Sequence, residues 1–361
     1  MTIEFRDVTK QYPDGTVAVD KLNLTVEDGT ITVFVGPSGC GKTTSLRMIN
    51  RMVEPTGGQV LLDGKDVAEG DPALLRRGIG YVIQHAGLFP HRTVLDNIAT
   101  VPLLSGWDKA KARQRAAELL EIIGLPSELG KRYPAQLSGG QQQRVGVARA
   151  LAADSPVLLM DEPFSAVDPI VREDLQNELL RLQSQLGKTI VFVTHDIDEA
   201  VRLGDKVAVM RVGGKLAQYG TPADVLRHPV DDFVASFVGR DRGYRGLSFL
   251  SADGVEVKEI ELVEIGSPVA ASDGWRLAVN TDKQPRGWLA PNSTVDGALS
   301  EEDLVAGGSL WIHGTPIRGA LDAALSSPAS LGVVVDEDHR VLGGVVARQV
   351  LDVIEATPQA S

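Results

Sequence analysis

Apolar and polar positions alternate through most of the first 30 residues. TIEFRDVTKQY and TVAVDKLNLTV read as strands of period two, with a PDG turn between them and an EDG turn after. The pattern then changes. Ile31, Val33, Phe34 and Val35 form a short apolar run that breaks at Gly36 into a glycine-rich loop, and good helix formers follow from Lys42. GQVLLDGKDV predicts further strands, and the apolar run Gly78 to Ile83 opens at Gln84 into a loop holding Gly87 and Pro90. From about 93 to 152 the period is helical. Thr93 is a candidate N-cap, and Ala116, Leu119, Leu120 and Ile123 share a face before the stop at Gly124. Val157 to Met160 and Thr189 to Thr194 are continuous apolar runs of strand length, as a parallel α/β sheet covered on both faces requires. Between them Val171, Leu175, Leu179, Leu182 and Leu186 line one helical face, and Asp196 with Glu199 predicts a capping box.

Beyond residue 240 the texture differs. Residues 241–250 read as a linker, and EVKEIELVEI and WRLAVNT read as short strands. TPIRGALDAALSS then predicts a helix, and LGVVVDEDHRVLGGVVARQVLDVIEA predicts strand, turn, strand and helix. A length of 361 residues suits two or three domains, and 43% hydrophobic with 23% charged residues is ordinary for a globular protein. No apolar run approaches the ~20 residues that span a bilayer, and MTIEFRDVTK lacks a signal-peptide core. With the single cysteine, Cys40, this leads to the expectation of a cytoplasmic protein. Charge is uneven: residues 1–245 carry 29 basic and 31 acidic side chains, residues 246–361 only 7 and 17. That acidic end argues against nucleic acid and against anionic lipid as partners.

The chemistry begins at the glycine-rich loop. Gly36, Gly41, Lys42 and Thr43 satisfy G-x-x-x-x-G-K-[ST] between a strand and a helix, the phosphate-binding P-loop. Glycines let successive N–H groups turn toward phosphate oxygens, and the helix N-terminus adds partial positive charge. Lys42 then neutralises β- and γ-phosphates and Thr43 offers a hydroxyl to Mg²⁺. Cys40, inside the loop, is a small filler or a thiol activated by the helix terminus. Asp161 and Glu162 end a buried strand, where ligands collect in parallel sheets. Asp161 reads as a Mg²⁺ partner and Glu162 as the group that polarises an attacking water. Several residues stay open at this level. Tyr12 is a strand aromatic or a face for a purine, and Gln84 a loop amide or a ligand of water and metal. Ser138-Gly139-Gly140 is a loop or a second anion nest, and His195 a structural histidine or a γ-phosphate contact.

Taken together, Gly36–Thr44 (GPSGCGKTT), Gln84, Leu137–Gln141 (LSGGQ), Val157–Glu162, Ser165–Asp168 and His195 resemble, in order, the motifs of an ABC-type ATPase. The resemblance spans roughly residues 1–240. YVIQHAGLFPHRTVLDNI, DEPFSAVDP and GTPADVLRHPVDDFVASFVGRDR look like ATPase subunits of bacterial importers for glycine betaine, choline, carnitine or proline betaine. The resemblance implies a P-loop NTPase fold: a RecA-like core, an antiparallel β subdomain and a helical subdomain at about 87–152. It implies ATP and Mg²⁺ as cofactors. Tyr12 would stack on adenine, and Gly36, Pro37, Ser38, Gly39, Cys40, Gly41, Lys42, Thr43 and Thr44 would wrap the phosphates. Thr43, Gln84 and Asp161 would serve the metal, Glu162 would be the general base and His195 would hold the γ-phosphate. Ser138, Gly139, Gly140 and Gln141 would face the nucleotide of a second subunit, with Asp168 at the seam. The implied partners are that second copy, membrane permease subunits and, indirectly, a solute-binding protein. Another importer class (amino acid, sulfate or sugar) is the alternative. A soluble ABC ATPase acting on DNA or ribosomes fits less well, because only about 95 residues separate Lys42 from Ser138 and there is one P-loop.

Residues 313–356 resemble a cystathionine-β-synthase-type (CBS) repeat, and 251–311 resemble it poorly, so 251–361 is expected to be a degenerate tandem pair of α+β character. Regulatory dimerisation, ligand or salt sensing, and an inert remnant are its possible roles. Trp275-Arg276 and Arg286-Gly-Trp288 read either as a stacking cleft or as core.

Overall fold

The computed structural model describes every residue except 85, 86, 166, 296 and 358–361, together with the side chains of 169–171 and 186. The expected Ala166 of the 165–168 segment, and Val171 and Leu186 of the helical stripe, therefore lie outside the described residues. The chain divides into two compact units, Met1–Arg240 and Asp241–Ser361.

The first unit opens with β1 (Ile3–Gln11) and β2 (Val17–Val26), the strands that the alternation predicts, and β3 (Ile31–Val35), the strand that the apolar run predicts. The P-loop then leads into α1 (Lys42–Ile49). β4 (Gly57–Leu62) and β5 (Lys65–Asp66) complete an antiparallel sheet in the order β2-β1-β4-β5. After α2 (Pro72–Arg77) come β6 (Ile79–Val82) and a helical region: α3 (Val94–Ile98), α4 (Thr100–Leu104), α5 (Lys109–Ile122) and α6 (Gly139–Leu151). Thr93 caps α3 by accepting the Asp96 N–H, and Ala116, Leu119, Leu120 and Ile123 are buried as their spacing requires. The chain returns as β7 (Val157–Asp161), α7 (Pro169–Leu186), β8 (Thr189–Thr194), α8 (Ile197–Leu203), β9 (Lys206–Arg211), β10 (Lys215–Gly220), α9 (Pro222–Arg227) and α10 (Asp232–Val238).

The second sheet runs β10-β9-β3-β8-β7-β6. β3 pairs in parallel with β8 and β9, and β7 in parallel with β6 and β8. Every residue of β3, β7 and β8 is buried, which is why these strands read as unbroken apolar runs. One face of this sheet meets α1 and the antiparallel sheet through Phe34, Leu46, Val191 and Val193. The other meets the helical region and α7 through Val33, Leu158, Ile190 and Leu179. The loops that carry Lys42, Gln84, Glu162 and His195 leave the carboxyl ends of β3, β6, β7 and β8.

The second unit starts with α11 (Arg242–Gly246) and a 3-10 turn at Leu247–Phe249. The expected linker is thus part of a core, because its apolar Tyr244, Leu247 and Leu250 cluster with Trp311, Ile317 and Leu321. β11 (Leu262–Glu264) runs parallel to β12 (Arg276–Val279), which turns antiparallel into β13 (Pro285–Leu289). β14 (Leu310–Ile312), β15 (Gly332–Val335) and β16 (Val341–Val345) repeat that order, with α12 (Ile317–Ser326) after β14 and α13 (Ala347–Ala356) after β16. The hairpins match in detail. Asn280 N–H donates to Gln284 O at 3.0 Å and Asp336 N–H to Arg340 O at 2.9 Å. Lys283 and His339 have φ of 61° and 62°, and Gly287 and Gly343 have φ of 157° and 156°. Among the described residues the first half lacks both helices: residues 265–275 cross between its first two strands without one, and only a 3-10 turn at Glu301–Asp303 follows its third strand. Leu277, Val279 and Trp288 of the first half pack with Val333 and Val335 of the second. Trp275 meets Trp288 edge-on at 6.5 Å, and Trp288 is fully buried, so these tryptophans are core and not an open cleft.

Candidate functional site: a phosphate cradle beside three converging side chains

A cavity of about 270 Å³ opens over the P-loop, lined by Ala18, residues 38–44 and Glu162. Two glycines set its shape. A Cβ on Gly36 would lie 2.2 Å from the Met210 carbonyl oxygen, and one on Gly41, at φ 99°, 2.1 Å from the Ala18 carbonyl oxygen. No other residue type can follow this path. Gly41 is the N-cap of α1 and offers no side chain to its first-turn N–H groups, which belong to the cavity-lining residues 42–44 and are left for a ligand. The buried Lys42 ammonium donates to the carbonyls of Gly36 at 2.7 Å and Pro37 at 3.0 Å. Cys40 is wholly buried, and burial pushes its thiol up from its usual value despite Lys42 nearby. That makes it a filler and not an activated nucleophile.

Asp161 ends β7 nearly sealed from solvent. Thr43 donates its hydroxyl to Asp161 Oδ1 at 2.8 Å, and Arg47 Nη2 lies 3.4 Å from Oδ2. A hydroxyl and a carboxylate at this spacing suit Mg²⁺ held partly by substrate phosphates, which takes only one or two protein carboxylates. Arg47 was not singled out from the sequence; its place one turn beyond Thr43 on α1 was the available signal. Glu162 sits in a left-handed conformation, φ 47°, fixed by its N–H donating to Val193 O at 2.9 Å. That turn aims its side chain across the sheet edge. Gln84 Nε2 lies 3.3 Å from Glu162 Oε2, and His195 Nδ1 lies 3.3 Å from the same oxygen. Strand ends more than 30 residues apart in sequence therefore deliver an amide, a carboxylate and an imidazole to one point.

The other expected residues lie elsewhere. Ser138 caps α6, accepting the Gln141 N–H at 3.3 Å, while the Gln141 side chain accepts the Ser138 N–H at 3.0 Å. Neither they nor Gly139 and Gly140 line the P-loop cavity of their own chain. Asp168 is exposed. Tyr12 is exposed at the end of β1 with the Lys10 ammonium 5.2 Å over its ring, and it too is outside the cavity lining.

A family model described as ABC transporter matches residues 19–165. The choline transport ATP-binding protein of Bacillus subtilis is 39% identical, over 98% of this chain and 96% of its own length. The chain belongs to the ATP-binding subunits of ABC transporters. Also similar are the carnitine transport ATP-binding protein of Listeria monocytogenes, 39% identical over 98% of this chain and 92% of its own, and the osmoprotectant import ATP-binding protein of Salmonella typhimurium, 51% identical over 70% and 67%. Among solved structures, a dimeric ATP-binding cassette in a post-hydrolysis state bound to ADP and Pi matches with a TM-score of 0.57. It is 34% identical and covers 61% of this chain and 98% of its own. The fold is that of the P-loop NTPases, and the chain is an ABC-type ATPase coupled to transport. Among the described residues no helix is long and apolar enough to cross a membrane.

Proposed function

We propose that two copies of this chain hydrolyse MgATP and thereby drive import of a quaternary-ammonium osmoprotectant, such as glycine betaine, choline, carnitine or proline betaine, through membrane permease subunits at the cytoplasmic face. A solute-binding protein would deliver the cargo. The observation that carries the reading is the meeting of Gln84, Glu162 and His195 at one carboxylate oxygen beside the P-loop. The relatives named above supply the cargo class.

In this reading the loop from Gly36 to Thr44 holds the phosphates through its N–H groups, and Lys42 exchanges its own loop's carbonyls for β- and γ-oxygens. Thr43, Asp161 and Gln84 hold Mg²⁺, which when bound neutralises charge on the phosphates. Glu162 takes the proton of an attacking water, Gln84 orients that water, and His195 holds the γ-phosphate. Tyr12 carries the adenine. Ser138 to Gln141 reach the nucleotide of the second copy, consistent with their absence from their own chain's cavity, and Asp168 lies at the seam between copies. Because phosphoryl transfer is chiefly alignment and charge neutralisation, sharing its donors between two chains lets ATP close the pair and hydrolysis release it. The unit Asp241–Ser361 is read as a degenerate pair of CBS-like repeats with a regulatory role. The β-α-β-β-α order of residues 310–356 and the matching hairpin at 276–289 support this.

The direct test is Glu162→Gln. ATP affinity is expected to hold while turnover falls ~100-fold, the size of a lost general base. A variant hydrolysing at near-normal rates would remove Glu162 from the role. For the cargo, vesicles carrying the chain with its permease should concentrate glycine betaine or choline in preference to amino acids or sulfate.

A further inference from the structure

Behind the exposed His195 lies a buried polar cluster that no motif announces. Thr194, Gln176 and Glu199 are each at least nine-tenths buried. Thr194, the residue before His195, donates its hydroxyl to Glu199 Oε2 at 2.6 Å and accepts the Asp196 N–H at 3.0 Å. Gln176, on α7, donates to Glu199 Oε1 at 3.4 Å. One turn earlier on α7, Arg172 donates to the Val167 carbonyl at 3.2 Å, next to Asp168, and lines the same small cavity as Glu199. A cavity of about 50 Å³ touches Arg172, Thr194, Glu199, Glu162 and His195. Glu199 was expected to complete a capping box with Asp196. In the structure Asp196 instead accepts the Asp198 N–H, and Glu199 turns inward.

A buried carboxylate is costly, and nothing about packing α8 requires one. An apolar side chain at this place on α8 would close the sheet more cheaply. What the carboxylate does supply is a rigid link: its two oxygens bridge α7 to the hydroxyl that immediately precedes His195. The path runs from the backbone beside Asp168, through Arg172 and Gln176, to Glu199, Thr194 and then His195.

We infer that Glu199 is a positioning residue that ties the segment carrying Asp168 to His195, so that docking of a second chain at Asp168 holds fast the imidazole that already meets Glu162. The inference rests on the ATPase reading above, and adds to it a residue that never touches nucleotide. Closure at the seam moves α7, α7 holds one oxygen of Glu199, and the other oxygen holds the backbone of residues 194–196 in register with the γ-phosphate position.

The test uses the full-length chain with Glu199→Ala, Glu199→Gln, Thr194→Val and the Glu199→Ala/Thr194→Val pair, measuring kcat and KM for ATP. Misplacing a group by a fraction of an ångström at such a site costs turnover first, so the two single truncations should each lower kcat ~10-fold with KM changed less than ~2-fold. The double variant should be no worse than either single one, since both cut the same link. Glu199→Gln keeps an oxygen for Thr194 and should recover most of the rate. Wild-type kcat in Glu199→Ala or Thr194→Val would overturn the inference, as would losses in kcat and KM that track melting temperature and are not repaired by Glu199→Gln. Should Glu199→Ala not fold, the near-isosteric Thr194→Val and Glu199→Gln still decide it. Wild-type protein lacking ATPase activity would instead defeat the functional reading itself.

Discussion

Buried charged groups at two places, one in each unit, are treated differently. In Met1–Arg240, Asp161 at the end of β7 is met by Thr43 and Arg47, and Glu199 on α8 by Thr194 and Gln176. In Asp241–Ser361, Arg276 is also buried, yet its Nε and Nη2 find no partner, and neither does Trp288 Nε1. Comparing the repeats explains the arginine. Gly332 occupies the place of Arg276 in the second half, where a Cβ would lie 2.5 Å from the Ala324 backbone nitrogen of α12. Among the described residues the first half has no such helix at that place, so a long side chain there meets no helix backbone, and Arg276 is buried. Asp161 and Glu199 are thus buried with partners that fix them beside the site, whereas Arg276 is tolerated as filling. Because Ser45, Gln143 and Ser155 of the first unit also leave a buried polar atom without a partner, the contrast is between these sites and not between whole units.

The sharpest way to break this contrast is to disturb one unit and read the other. Gly41→Ala drives a methyl into the Ala18 carbonyl and forces a left-handed alanine, so turnover should drop at least ~100-fold while the second unit's near-ultraviolet dichroism stays native. Trp288→Ala empties the centre of the contact between repeats and should cost about 3–5 kcal/mol of the second unit's stability, seen in urea unfolding. ATP turnover assayed at the protein concentration used for wild type should stay within about twofold, because no described residue of that unit lines the P-loop cavity. Arg276→Met should leave the second unit equally or more stable, by about 1–2 kcal/mol, since it removes unpaired buried donors. A clear loss there would mean that the arginine has a partner in solution and that the contrast fails.

The smallest expected effect concerns pH. Burial pushes the Glu199 carboxyl up, with Asp196 acting in the same direction and Thr194, Arg172 and His195 opposing. The folded state therefore holds that proton more tightly than the unfolded chain, and stability from this group is lost as pH rises above the ordinary carboxylate range. Glu199→Gln should melt above wild type at neutral pH, and the gap should shrink toward about pH 4, where both side chains are neutral. Melting curves across that range check the sign.

What the sequence made legible follows from how local each constraint is. Gly36, Gly41, Lys42 and Thr43 are readable because a phosphate cradle demands those types at fixed spacing along one strand, loop and helix. Asp161 and Glu162 are readable because charges rarely end an apolar run without a reason. Arg47 was missed because its partner, Asp161, is 114 residues away. Glu199 was misread because a capping-box spacing is the same whether the carboxylate turns out to the helix terminus or in toward Thr194. The first repeat of the second unit was faint because neither helix of its twin has a counterpart among its described residues; its hairpin, from Leu277 to Leu289, shares geometry with its twin and few residue types.

The central claim is that a working site needs two copies of the chain, each cavity lacking the Ser138 to Gln141 segment of its own. The most direct measurement is turnover per chain as total protein is diluted through the dimer dissociation range, with molecular mass followed in parallel. The expected result is a specific rate that falls in step with the dimer fraction and vanishes for the monomer. A monomeric sample hydrolysing ATP at the undiluted rate would contradict it.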